Sequence, residues 1–206
     1  MEYMFYQCSE LNSINIENIK VSKVINMTNM FYNCFQLKSL ELYNDYDCSK
    51  VGDMSYMFYN CSNLININTN FQSNEYCYYW NGGSCRYKHQ EKNMSYMFTN
   101  CYSLQSLSFD TSSEFHINSM DNIFENCKSL TTLNLEKFNT SSVTNMTKVF
   151  YNCYNLKYLT QSFDTKKVAN MNSMFYNCKN LSSINLQGFD TSSVTDMTEI
   201  FTNCES

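Results

Sequence analysis

Cysteine and histidine are the residues of this chain whose chemistry could include metal binding, disulfide formation or nucleophilic catalysis. The chain has 11 cysteines and two histidines. Eight of the cysteines recur at a near-constant spacing: Cys8, Cys34, Cys61, Cys101, Cys127, Cys153, Cys178 and Cys204. No two of these eight have the C-x₂₋₄-C spacing that typical zinc motifs use. The spacing therefore predicts eight small, buried apolar side chains rather than ligands.

Two other cysteines, Cys77 and Cys85, flank the turn sequence Asn-Gly-Gly at 81–83 almost symmetrically. Asn-Gly favours the tight turn of a β-hairpin, so we predict a hairpin with a disulfide between these cysteines. Free thiols are one alternative. A zinc site formed with His89 and His116 is another, because two Cys and two His suit zinc. The prediction that we carry forward includes no metal and no cofactor.

Motifs of catalysis are absent from the sequence. It contains no G-x-S-x-G, no phosphate-binding glycine loop and no H-E-x-x-H. Cys48 stands where other repeats have threonine, near a predicted helix start. It is interpreted either as a reactive thiol, since helix N-termini lower a thiol pKa, or as a substituted capping residue. We predict that the protein is not an enzyme.

The regular cysteines belong to a repeated unit that organises the whole chain. FNTSSVTNMTKVFYNCYNL at 138–156 returns as FDTKKVANMNSMFYNCKNL at 163–181 and as FDTSSVTDMTEIFTNC at 189–204. The steps between successive repeat cysteines are 26, 27, 40, 26, 26, 25 and 26 residues. A fixed period of this length is typical of a stacked repeat array. We predict one repeat domain over 1–206, of about eight turns, that begins and ends in mid-repeat and continues into adjacent repeats of a longer chain.

Each repeat has the pattern of one short helix followed by one short strand. Apolar residues fall three or four apart, which is the spacing of a helix face, at Val143, Met146, Val149, Phe150 and Cys153. The asparagine before each cysteine suits the left-handed residue that ends a helix. The motif L-x-x-L-x-L then indicates a half-buried strand, as at Leu130, Leu133 and Leu135. The predicted fold class is an α/β solenoid, a leucine-rich-repeat-like coil with one short helix and one short parallel strand per repeat of about 26 residues.

Stacked coils would place equivalent side chains above one another. The repeat phenylalanines and cysteines should then form interior columns. The residue after the phenylalanine is tyrosine in five repeats: Tyr6, Tyr32, Tyr59, Tyr151 and Tyr176. This stripe is interpreted either as an adhesive face or as rings that stack on one another to cover the row.

The repeat is interrupted at about 72–92, where we place the inserted hairpin. The insertion carries the only tryptophan of the chain and several tyrosines. Its candidate ligand-binding residues are Tyr76, Tyr78, Tyr79, Trp80, Arg86 and Tyr87, because these residue types dominate binding hot spots. The alternative is that the hairpin folds back and covers the side of the solenoid.

Charge and composition exclude several kinds of partner. The net charge of −5 and the sequence pI near 5.0 provide no basic patch for nucleic acid. No apolar run approaches the ~20 residues that span a bilayer, so we expect no direct membrane insertion. No signal peptide is recognisable in this segment.

The string F-D-T-S-x-V-T-x-M-x-x-M-F-x-N-C-x-x-L-x-x-L-x-L resembles the BspA-like leucine-rich-repeat surface proteins, in the mycoplasma-type form with repeats of ~26 residues. The resemblance covers nearly the whole chain outside 72–92. It implies a cell-surface or extracellular location and, for some members, adhesion. We therefore expect a non-enzymatic module that binds a protein or another extracellular macromolecule. The alternative is a structural or scaffolding segment of a longer repeat array with no specific ligand.

Overall fold

The computed structural model describes residues 1–41, 47–69, 76–81, 84–109 and 114–206, and for 68–69, 76–81, 84–88 and 108 it describes the backbone alone. The strands are β1 (Ser39–Glu41), β2 (Asn66–Thr69), β3 (Tyr76–Asn81), β4 (Ser84–Lys88), β5 (Lys92–Asn93), β6 (Ser106–Phe109), β7 (Phe115–Ser119), β8 (Thr132–Asn134), β9 (Phe138–Asn139), β10 (Tyr158–Leu159) and β11 (Ser183–Ile184).

The chain winds as a parallel β-solenoid, and we name its coils first to eighth by their repeat cysteines. One face carries a sheet of order β1-β2-β6-β8, with every neighbouring pair parallel. The pair β10–β11 is also parallel. Equivalent residues pair, so that Leu40 lies opposite Ile67, Ile67 opposite Leu107, and Leu107 opposite Leu133. The predicted parallel stacking of the L-x-L strands is confirmed.

A second edge of each coil carries shorter pairings. Strands β5, β7 and β9 form a parallel sheet in that order. Isolated parallel bridges join Asn26 to Asp53 and Asp53 to Asn93, and they join Asn145 to Asn170 and Asn170 to Asp196 in later coils. In most of these coils the asparagine or aspartate also accepts a hydrogen bond from the N–H two residues on, as Asn145 does from Thr147 at 3.0 Å.

The expected short helix of each repeat is not found in the described part of the chain, and residues 147–152 form turns instead. In the turn segment of the second coil, at 27–34, alternate N–H groups donate to carbonyls of the next coil. Met27 donates to the Asp53 carbonyl at 2.8 Å, and Phe31 donates to the Met57 carbonyl at 2.8 Å. The intervening N–H groups close tight turns, as Cys34 does by donating to Phe31 at 3.1 Å. A helix would keep all of these bonds within one segment, whereas here half of them join coils.

Two residues with left-handed backbone conformation in each coil explain why this segment forms consecutive tight turns. The asparagine before each cysteine has a positive φ from the second coil onward, as predicted; in the seven coils from Asn33 to Asn203 the values lie between 57° and 63°. A second residue four positions earlier is also left-handed in every coil: Tyr3, Asn29, Tyr56, Tyr96, Asn122, Lys148, Ser173 and Glu199. A positive φ at the third position of a four-residue turn is the signature of a type II turn. Two of them within each turn segment prevent α-helix formation.

The core consists of continuous columns. The eight repeat phenylalanines stack from Phe5 to Phe201, with ring centroids 5.1–5.7 Å apart and interplanar angles of 5–13°. The cysteines lie beside them, and each thiol from Cys34 to Cys204 donates to the carbonyl oxygen of a phenylalanine in the preceding coil at 3.1–3.2 Å. The predicted interior columns are confirmed, and the thiols additionally satisfy a buried acceptor.

The insertion does not interrupt the stack. The third coil bonds directly to the fourth: Met54 donates to the Asn93 carbonyl at 2.9 Å, and Phe58 stacks on Phe98 at 5.4 Å. The third and fourth coils therefore stack as the other neighbouring coils do.

Candidate functional site

The inserted segment forms a hairpin of its own. Strands β3 and β4 pair antiparallel in a separate two-stranded sheet, and the described residues show no pairing of it with a solenoid strand. The turn residues 82–83 lie outside the described residues. All six candidate binding residues are on these two strands, where Tyr79 lies opposite Arg86 and Cys77 opposite Tyr87. The two strands pair antiparallel as the predicted hairpin requires, while the contacts of their side chains lie outside the described part of the chain.

The hairpin register bears on the predicted disulfide. Cys85 lies opposite Trp80 and Cys77 opposite Tyr87, and the register shifts between Cys77 and Tyr79. The two cysteines are thus on neighbouring strands but are not direct cross-strand partners. Because the structure describes neither side chain, the disulfide stays a prediction.

The two histidines come together at the base of the hairpin. The rings of His89 and His116 have centroids 3.9 Å apart and planes tilted by 30°. The Nε2 atom of His116 is 3.7 Å from a Glu114 carboxylate oxygen. Among the described residues no three or more His, Cys, Asp or Glu side chains lie together as a metal site would need. The side chains of Cys77 and Cys85, which the zinc hypothesis requires, are outside that set.

A buried lysine, which the repeat pattern does not predict, lies where the chain rejoins the solenoid after the hairpin. The side chain of Lys92 is fully buried, and its Nζ donates to the carbonyls of Cys48, Ser49 and Val51 at 2.9, 3.3 and 2.7 Å. It also lies 5.7 Å from the centroid of the Phe115 ring. Burial is the main cause that lowers the pKa of Lys92 to about 8. The lysine holds the turn at 48–51 closed by satisfying three carbonyls that face the interior.

Cys48 is part of the same buried turn. Its side chain is inaccessible and its thiol is free. Burial raises the pKa of Cys48 to about 12, and nearby Lys92 lowers it by less. A thiol with a raised pKa and no access is a poor nucleophile, so the structure favours the interpretation of Cys48 as a substituted structural residue.

The tyrosine stripe stacks on itself, as one of the two interpretations predicted. Tyr6 stacks on Tyr32 at 5.1 Å, Tyr32 on Tyr59 at 4.8 Å, and Tyr151 on Tyr176 at 4.8 Å. A second row runs beside it and was not anticipated. We call the connected set the tyrosine ridge, and its members are Tyr3, Tyr6, Tyr32, Tyr56, Tyr59 and Tyr96.

The second row occupies the other left-handed position of the turn segment. Tyr56 stacks on Tyr96 at 4.7 Å and meets Tyr59 at 5.7 Å, and Tyr3 meets Tyr6 edge-on at 5.3 Å. The ridge is therefore one unbroken chain of ring contacts across four coils. The signal for it was present as tyrosine two residues after the repeat methionine, as in MSYMF.

Comparison with known proteins identifies the repeat. Two segments, 1–120 and 118–206, match the family described as "Mycoplasma protein of unknown function, DUF285". The chain belongs to this family. Membership confirms the mycoplasma-type repeat that the sequence motif indicated.

Among solved structures, this DUF285 protein is similar to a leucine-rich repeat protein from Bacteroides ovatus ATCC 8483. The identity is 14% and the TM-score 0.21, and the match covers 88% of this chain and 68% of that chain. A search of curated proteins finds no match. In the described part of the chain, no helix is long and apolar enough to cross a bilayer.

Proposed function

We propose that this DUF285 protein is a non-enzymatic module, at the cell surface or outside the cell, that binds a protein or another extracellular macromolecule through its inserted hairpin. The supporting observation is the separate two-stranded sheet of β3 and β4, which lies outside the hydrogen-bond register of the coils. Every other described strand pairs with its counterpart in a neighbouring coil.

The hairpin composition supports the same proposal. Its two strands gather four tyrosines, the tryptophan and Arg86 within eleven residues. Trp, Tyr and Arg provide most of the binding energy at protein interfaces. Because the third and fourth coils already stack on each other, the solenoid core does not need these residues to complete its columns.

The decisive experiment replaces Tyr79 and Trp80 by alanine. Binding of the purified chain is measured against immobilised extracellular-matrix proteins and a glycan array. A matched control replaces two tyrosines outside the insertion, Tyr154 and Tyr158. We expect the hairpin variant to keep its β-sheet circular dichroism and to lose binding, while the control retains it. If the hairpin variant unfolds, or if both variants bind like the wild type, the hairpin is a structural cover.

A second candidate is a structural segment of a longer repeat array. It is favoured by the stacking of each coil on its neighbours, as in the contact of Phe150 with Phe175 at 5.4 Å, because identical coils can stack in the same way in a longer array. Light scattering on the chain tests the idea, because end-to-end association through such coils should increase with concentration.

A further inference from the structure

The tyrosine ridge is a continuous surface that is not buried in the solenoid core. Tyr3 and Tyr6 are 52% and 39% exposed, and the other four rings are partly exposed. Since neighbouring rings stack at 4.7–5.1 Å, their faces are mostly turned toward each other. The ridge therefore presents ring edges and phenol hydroxyls to the outside. Such edges do not offer the free ring faces on which a sugar would stack.

The charged side chains along the ridge are of one sign. The turn segments of the first five coils, at 1–8, 27–34, 54–61, 94–101 and 120–127, contain three carboxylates and no lysine or arginine. Two of these carboxylates, Asp121 and Glu125, lie near the tyrosines. Burial is the largest cause that raises the pKa of Tyr56 and Tyr96, and the charge of Asp121 is the second. Glu125 raises the pKa of Tyr96 further.

These carboxylates are held by neutral donors. Asp121 accepts from the hydroxyls of Ser95 and Ser119 at 2.6 and 2.9 Å, and Glu125 accepts from the Asn122 amide at 2.6 Å. Within the described residues no lysine or arginine forms an ion pair with either one. Among the described side chains, the partners that hold these two carboxylates are therefore neutral.

The same row holds a cation in the sixth coil, outside the ridge. In the sixth coil Lys148 occupies the position of Tyr96, and its Nζ lies 5.0 Å from the centroid of the Tyr151 ring. Phenol oxygens and carboxylates together provide hydrogen-bond acceptors for a guanidinium, which has only donors.

We propose that the tyrosine ridge, with Asp121 and Glu125, docks an arginine- and lysine-rich segment of a partner protein. The inference rests on the proposed function, since it names a second surface and the partner chemistry of the same interaction module. Guanidinium groups would donate hydrogen bonds to the phenol and carboxylate oxygens. Charge complementarity of this kind speeds association and selects the partner.

The test uses a fluorescein-labelled octa-arginine peptide and measures its anisotropy with the purified chain. One variant combines Tyr32→Phe and Tyr59→Phe, which removes two hydroxyls while keeping the ring stack. A second variant, Glu125→Gln, removes the charge but keeps an acceptor for Asn122. We expect each variant to weaken peptide binding, because it removes hydrogen-bond acceptors or charge, and the combination to weaken it roughly tenfold.

Two matched controls distinguish peptide binding at the ridge from nonspecific attraction of the cationic peptide to an acidic protein. Tyr151→Phe with Tyr176→Phe alters an equally spaced stacked pair outside the ridge, at the same 4.8 Å. Asp190→Asn removes one exposed charge elsewhere. Both controls should stay within about twofold of the wild type. Equal weakening by Asp190→Asn, unchanged binding by the ridge variants, or equal binding of an octa-glutamate peptide would overturn the proposal.

The hairpin variant keeps the two proposals distinguishable. The Tyr79→Ala and Trp80→Ala protein retains the whole ridge, so it should bind octa-arginine like the wild type. Loss of extracellular-partner binding with intact peptide binding would support both surfaces. If the wild type binds the extracellular partner but not the octa-arginine peptide, the ridge proposal is refuted and the hairpin proposal is unaffected.

Discussion

Raising the pH should unfold this protein because its core contains protonated thiols. Seven cysteines of the described chain are fully inaccessible: Cys34, Cys48, Cys61, Cys101, Cys127, Cys153 and Cys178. Burial is the main cause that raises the pKa of each, to about 11 for Cys34 and about 12 for Cys48. In the unfolded chain the thiols titrate with a pKa near 9.0. Between about pH 9 and the folded values, the unfolded state therefore binds fewer protons than the native state, and stability falls as the pH rises.

The size of this loss follows from the shift. At pH 10, one unit above the unfolded pKa, each thiol that stays protonated in the native state reduces the free energy of unfolding by about 1.4 kcal/mol. Seven such thiols remove about 10 kcal/mol, which is comparable with the whole stability of a typical domain, about 5–15 kcal/mol.

Lys92 acts in the opposite direction. Its pKa is lowered from 10.5 to about 8 in the folded protein. Between these values the unfolded state binds the extra proton, so this group makes the protein more stable as the pH rises, by about 2 kcal/mol from pH 8 to pH 10. One lysine cannot offset seven thiols. The net expectation is a steep alkaline loss of stability.

Urea unfolding followed by circular dichroism at pH 8, 9 and 10, with reductant present, measures this loss. Cys127→Ala provides the matched control, because without that thiol the loss from pH 8 to pH 10 should be smaller by about 1.4 kcal/mol. Iodoacetamide labelling mapped by mass spectrometry should modify exposed Cys8 in the native protein and spare Cys127. A free energy of unfolding that stays constant or increases up to pH 10, or rapid native labelling of Cys127, would refute the reasoning.

Three further predictions concern single residues. Lys92→Met should differ from the wild type in a pH-dependent way: the wild type gains up to about 3 kcal/mol relative to the variant between pH 8 and pH 10.5, measured by urea unfolding, because only the wild type carries the titrating amine. Asn152 donates to Asn126 and accepts from Asn177, both at 2.7 Å, with φ at 60°. Asn152→Gly should cost only the side-chain bonds, about 1–2 kcal/mol, whereas Asn152→Ala should cost about 1 kcal/mol more, and equal losses would contradict a left-handed requirement. Phe124→Ala should cost about 3–5 kcal/mol in the same assay, and a loss below about 1 kcal/mol would show that the ring column is not a stabilising core.

The sequence was sufficient to predict the features that depend on the repeat period. A step of about 26 residues places equivalent side chains above one another, and this is enough to predict the phenylalanine and cysteine columns. The long step between Cys61 and Cys101 locates the insertion, and Asn81-Gly82-Gly83 indicates its hairpin. Each of these features depends on which residues repeat, and the repeat is visible in one sequence.

The helix could not be excluded from the pattern of apolar residues alone. Inward positions such as Val149, Phe150 and Cys153 recur every three or four residues both in a helix and in a chain of tight turns. The two structures differ in where the N–H groups bond, and that depends on a second left-handed residue in each coil. At Lys148 and Glu199 this residue has no intrinsic preference for a positive φ. Hydrogen bonds to the neighbouring coil impose it, and they are a property of the stack.

Lys92 was missed because alignment by the repeat methionine places it one position away from the core. The position three residues before the methionine is Val51, Ile117 or Val143 in other coils, but it is Glu91 here. The register shift between Lys92 and Asn93 moves the lysine opposite Ile117, into that column. A charged residue in an otherwise apolar column was the available signal that the register changes where the insertion ends.

The columns also determine which surfaces are free to acquire a function. In each coil the repeat phenylalanine, cysteine and leucine contact the neighbouring coils. A substitution at one of these positions therefore disturbs several coils. The position two residues after the methionine is constrained only to be left-handed, and it holds Tyr56, Asn122, Lys148 and Glu199 in different coils. Side chains there can change charge and size while the backbone bonds persist. A repeat protein of this kind can therefore vary the chemistry of this row of residues without altering its fold, and the change from Tyr96 to Lys148 along one row shows that variation within a single molecule.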